Sequence, residues 1–143
     1  MKKRILRYIS IGLLAVAMLS TVAFAAVEAS KYILRTTVGM ATLSGGVIDI
    51  NCTITATGIY HDVGVEWIDV YEDGEYVTSY EYDDKDFDYS YLMGHNVGHY
   101  TATVTHQGTP GKKYSATVSF FAGDEYSGGD VHSMGSAIVT AKK

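Results

Sequence analysis

The sequence predicts an all-β domain, an antiparallel β-sandwich of about seven to nine short strands behind an N-terminal signal-peptide helix. Two observations carry that expectation. After the first 25 residues, helical spacing gives way to period-2 alternation of apolar and polar side chains. Turn signals then recur at roughly ten-residue intervals, the rhythm of a sandwich or barrel.

The chain opens with Met1, Lys2, Lys3, Arg4 and Arg7 and no acid among them. An apolar run from Ile9 to Ala23 follows, broken only by Ser10, Gly12, Ser20 and Thr21, and it ends in Ala23-Phe24-Ala25. Charge, apolar stretch and small-residue exit in that order predict a secretory signal over residues 1–25, cleaved after Ala25. The expected mature chain, 26–143, is one secreted domain. It keeps seven basic residues against sixteen acidic ones. Such a charge repels phosphate backbones and anionic membrane surfaces, which argues against nucleic-acid and membrane partners. Cys52 is the one cysteine, so no internal disulfide is possible and stability has to come from the core.

Val47 to Ala56 is the clearest strand. Ile48, Ile50, Cys52, Ile54 and Ala56 share one face and Asp49, Asn51, Thr53 and Thr55 the other, which places Cys52 in an apolar row. Gly98 to His106 and Lys113 to Ala122 alternate in the same way, as antiparallel strands with one wet face do. Glu66 to Tyr71 and Glu75 to Tyr82 flank Asp73-Gly74, a strong hairpin signal. Tyr32 to Val38, Met40 to Leu43, Phe87 to Met93 and His132 to Ala141 complete the expected strands. Turns are expected at Ser44-Gly45-Gly46, at Gly94 to Gly98 and at Gly108 to Gly111, and a loop from Gly123 to Asp130.

The segment Gly98-x-Tyr100-x-Ala102 resembles the tyrosine corner of immunoglobulin-like domains, in which a Tyr hydroxyl ties a corner to upstream backbone. Cys52 stands at a strand-B position and Trp67 on the next strand, while Ala102 replaces the second cysteine. Residues 32 to 121 therefore resemble bacterial-type, disulfide-free immunoglobulin-like sandwiches. The resemblance implies a fold and no catalytic residues.

Chemistry-bearing patterns are sparse. Asp84, Asp86 and Asp88 have a D-x-D-x-D spacing that could aim carboxylates at Ca²⁺, but Tyr89 and His95 stand where an EF-hand needs Gly and Glu. A solvated acidic turn accounts for the same residues. His95 and His99 are four apart, a spacing with metal-binding meaning on a helix and none in a glycine-rich turn. Asn51-Cys52-Thr53 matches the glycosylation sequon, a match expected to be chance if, as the resemblance implies, the domain is of bacterial type. No nucleophile elbow or phosphate loop is present, and a mid-strand Cys52 is no nucleophile. The expectation is no enzyme and no cofactor.

Tyrosine is the suggestive feature, with eleven of the twelve after residue 25. Tyr76, Tyr80 and Tyr82 share parity on one strand, and Tyr89 and Tyr91 follow the acidic turn. Tyr offers rigid, amphipathic contact area, although it is also an ordinary strand former. The leading expectation is a secreted, non-enzymatic binding module, monomeric or weakly oligomeric. It would grip an unknown protein or glycan at a cell surface with these five tyrosines and Trp67. Two alternatives stand beside it. One is an assembly protein pairing through Tyr32 to Val38 or His132 to Ala141, the other a Ca²⁺-stabilised domain using Asp84, Asp86 and Asp88.

Overall fold

The computed structural model describes residues 30–124 and 127–143. The expected signal peptide and its cleavage site lie outside the described residues. Seven strands are present among the described residues: β1 (Ile33–Thr42), β2 (Val47–Glu72), β3 (Glu75–Glu81), β4 (Met93–Gln107), β5 (Lys113–Asp124), β6 (Gly128–Gly135) and β7 (Val139–Thr140). All pair antiparallel in one sheet. No helix among the described residues is long and apolar enough to cross a membrane.

The organising element is β2, which is 26 residues long against a usual strand length of about 3–10. Its first half lies between β1 and β4, with Cys52 opposite both Val38 and Ala102. Its second half lies between β3 and β5, with Ile68 opposite both Tyr80 and Val118. Around Val63 the strand is flanked by β4 and β5 together. Two irregularities let one strand serve both halves. Between Thr55 and Tyr60 the register with β4 slips, and Glu66 is an extra residue against β5. Bulges bend a strand and raise its twist, and the sheet curls on itself.

The curl makes one apolar interior. Ile48, Ile50, Cys52 and Ile54 from the first half meet Val63, Val65, Ile68 and Val70 from the second, with Val104, Tyr114, Val118 and Phe120. The bulge at Glu66 keeps Val65 and Ile68 on the inner face although they are three apart. It turns Trp67 to the outer face, half-buried opposite Ser119. On the outer face of the first half, opposite residues form a polar ladder. Thr105 donates to Asp49 (2.7 Å), Thr103 donates to Asn51 (2.8 Å), Thr53 bonds Thr101 (3.1 Å) and Thr55 bonds His99 (3.0 Å). Such cross-strand pairs are the unit of sheet stabilisation.

Several expected boundaries shift. The strand through Tyr32–Val38 and that through Met40–Leu43 are one, and Val47–Ala56 joins Glu66–Tyr71 through residues 57–65, which the alternation assigns to no strand. Phe87 to Leu92 is a loop ending in a 3₁₀ turn, Ser90–Leu92, and Gly94 to Gly98 is strand. The expected strand His132 to Ala141 divides into β6 and β7. The hairpin at Asp73-Gly74 is as expected, with both residues at positive φ (50° and 88°), the backbone of a type I′ turn.

Candidate functional site

The segment between β3 and β4 folds on its own acids. Asp84 Oδ1 accepts the backbone N–H groups of Asp86 (2.7 Å) and Phe87 (3.1 Å). Asp88 Oδ1 accepts from the Ser90 hydroxyl (2.6 Å) and the Ser90 N–H (3.1 Å), and these bonds hold the Asp88 carboxyl below its ordinary value. Both are side-chain-to-backbone turns of the kind Asp favours. Asp86 is exposed.

The turns present a run of rings. Phe87 stacks on Tyr89 (centroids 6.0 Å apart, 29° between planes), and Tyr89 meets Tyr80 edge-on (5.4 Å, 86°) and Tyr91 edge-on (6.3 Å, 72°). Offset and edge-to-face pairs of this kind add about 0.5–1.5 kcal/mol each beyond area burial. The inner end is fastened. The Tyr80 hydroxyl bonds His106 Nδ1 at 2.8 Å, and the His106 ring tilts against Tyr114 at 5.6 Å. The Tyr114 hydroxyl donates to the Glu72 carboxylate and accepts the Thr109 N–H (2.7 Å). The outer end is open: Phe87 is 64% exposed and Tyr91 46%. Burial, then the neighbouring Tyr89, pushes the Tyr80 phenol upward, and burial does the same to Tyr91.

The six rings expected to act together do not share one face. Val77 is an extra residue in β3, since Val70 pairs Thr78 while Tyr71 pairs Tyr76. Tyr80 therefore turns inward beside Ile68, while Tyr76 stands outside, edge-on to Tyr71 (6.1 Å) and 59% exposed. Tyr82 follows β3 and lines a separate cleft of about 270 Å³ with Asp62, Glu66, Met93 and Phe121. Trp67 is on the outer face. Tyr80, Tyr89 and Tyr91 do come together, and Phe87 and His106 join them. His106 lies one alternation beyond Val104, so its inward side was readable; Phe87 sat in a predicted strand that is a loop.

Among the described residues, the one convergence of three or more His, Cys, Asp or Glu side chains is His61, Asp62 and His95. His95 Nδ1 is 2.7 Å from Asp62 Oδ1, and His61 Nδ1 is 3.1 Å from Asp62 Oδ2. Asp84, Asp86 and Asp88 form no such group, and His99 bonds Thr55 (3.0 Å) away from His95. Cys52 is buried, and that burial pushes its thiol up to about 12, so a thiolate nucleophile is not on hand at neutral pH. In comparisons with known proteins, no family model, curated relative or solved structure matches this chain.

Proposed function

We propose that this chain is an exported, non-enzymatic binding module of the immunoglobulin-like sandwich type, holding a protein or glycan at a cell surface. The contact surface is the ring cluster of Phe87, Tyr89 and Tyr91. The observation that carries the reading is the contrast between its two ends: exposed rings outside, and inside a Tyr80–His106–Tyr114 chain that fixes them. Rings already immobilised lose little entropy when a partner packs on them. The same loop carries Asp83 and Asp86, exposed carboxylates that can accept from hydroxyl or amide donors.

The order of strand pairing supports the sandwich type. β1–β2–β4 corresponds to strands A, B and E, and β3–β2–β5–β6 to strands C′, C, F and G, if β2 supplies B and C in one piece. In that correspondence the tyrosine corner is Tyr114, not Tyr100. Tyr114 is the second residue of β5, its hydroxyl accepts from the backbone N–H of Thr109 five residues upstream, and Ala116 stands two residues on.

Replacing both Phe87 and Tyr91 by Ser tests the assignment. The double variant loses the Phe87–Tyr89 and Tyr89–Tyr91 ring pairs, together about 1–3 kcal/mol, so it should still fold cooperatively with a lowered melting temperature while retention on native cell-surface preparations, measured well below that temperature, is lost. Tyr76→Ser, on the other face, should be retained like the wild type. A double variant retained as well as wild type would overturn the assignment. Protease or glycosidase treatment of the preparation then tells a protein partner from a glycan.

A further inference from the structure

We propose that His61, Asp62 and His95 bind one divalent transition-metal ion of the Zn²⁺ class, in a site with a coordination position open to solvent. The inference goes beyond the binding-module reading and does not rest on it.

The site comes from the register of β2 where the strand changes neighbours. Asp62 is paired with His95 of β4 on one side and with Gly123 of β5 on the other, so strand pairing itself brings His95 to the carboxylate. Adjacent residues on a regular strand point to opposite faces. His61 nevertheless reaches the Asp62 carboxylate, with its ring centroid 5.7 Å from that of His95. The register slip between Thr55 and Tyr60 lies just before it, and the His61 N–H is fastened to Asp124 Oδ1 at 2.6 Å.

One ligand atom from each residue lies within 4.8 Å of the others. Around a tetrahedral ion with bonds of about 2.0–2.1 Å, such atoms sit roughly 3.3 Å apart. Closing that difference takes small side-chain movements at the surface and leaves the core alone, since His61 and His95 are exposed. The donor set chooses the ion. Two imidazoles and a carboxylate suit Zn²⁺, Ni²⁺ or Cu²⁺, whereas Ca²⁺ and Mg²⁺ take oxygen. Asp124 behind His61 and Glu66 in the neighbouring cleft add negative potential without supplying a third nitrogen. Three protein ligands leave a fourth position for water or for a donor from another molecule. A simple hydrogen-bonded His–Asp–His group has the same distances, so the measurement must be of metal.

The test is calorimetric titration of ZnCl₂ into the untagged full-length chain in metal-free buffer, with Co²⁺ absorption as a spectroscopic readout. The expected result is saturable one-to-one binding and Co²⁺ bands distinct from those of the aquo ion. His95→Ala and Asp62→Asn should each weaken binding roughly tenfold or more, and His99→Ala should leave it unchanged. His61→Ala, at an exposed position, gives an independent variant if either of the first two fails to fold by circular dichroism. Absence of saturable binding at millimolar Zn²⁺, or undiminished affinity in folded variants of the three ligands, would overturn the proposal.

Discussion

Burial holds His106 on the neutral side, and its pKa lies below the ordinary histidine value. Its ring sits between the Tyr80 hydroxyl and the Tyr114 ring, with the Glu72 carboxylate pulling weakly the other way. In the unfolded chain the same imidazole protonates near pH 6.5. Below that pH the unfolded state binds the extra proton, so stability falls as pH falls until the lower folded value is passed. The carboxylates held low by hydrogen bonds, Asp73, Asp88, Asp124 and Asp130, lose their contributions only below about pH 4. Urea denaturation between pH 7 and pH 5 should therefore show a decline in wild type that is largely absent in His106→Phe. An equal decline in both would remove His106 as its source. At this scale the sequence was readable where alternation is unbroken: Cys52 follows from its neighbours two residues away. It was not readable across a bulge, and one extra residue at Val77 sends Tyr76 and Tyr80 to opposite faces.

Elements were harder to read than residues, because glycine has two uses. Gly94 to Gly98 reads as a turn, yet these residues pair with β2 as the first part of β4. Gly94 is there for close approach. A Cβ on it would stand 2.3 Å from Cδ2 of Tyr100, whose hydroxyl donates to the Tyr91 carbonyl at 2.7 Å. That bond ties β4 to the end of the loop that carries the exposed rings. Gly94→Val should cost about 1–3 kcal/mol by overpacking and displace the Tyr100 ring. Thermal denaturation measures the loss. A variant as stable as wild type would show that the ring does not rest there. The long β2 escaped the sequence reading for a related reason: bulged residues break the period-2 pattern, so one bent strand looks like two with a loop between.

For the whole molecule, the curl brings the two strands nominated for intermolecular pairing towards each other. Ser30 donates to Asp130 (2.5 Å), the Tyr32 hydroxyl donates to the Ser127 carbonyl (3.1 Å), and Ser136 donates to Met40 Sδ (3.0 Å). These bonds tie β1 and the segment before it to β6 and the turns on either side of it. The all-β, antiparallel character was legible because patterning is local. The His61–Asp62–His95 group was not, because its members lie on β2 and β4 and only the pairing of those strands unites them. Everything described depends on β2 running unbroken through a single core. Native-state hydrogen exchange tests this most directly, on the amides of Ile50, Cys52 and Ile54 in one half and Val65, Ile68 and Val70 in the other. If the core is one cooperative unit, both sets exchange only through global unfolding and share one opening free energy. Protection factors differing by more than about tenfold between the halves would contradict the account.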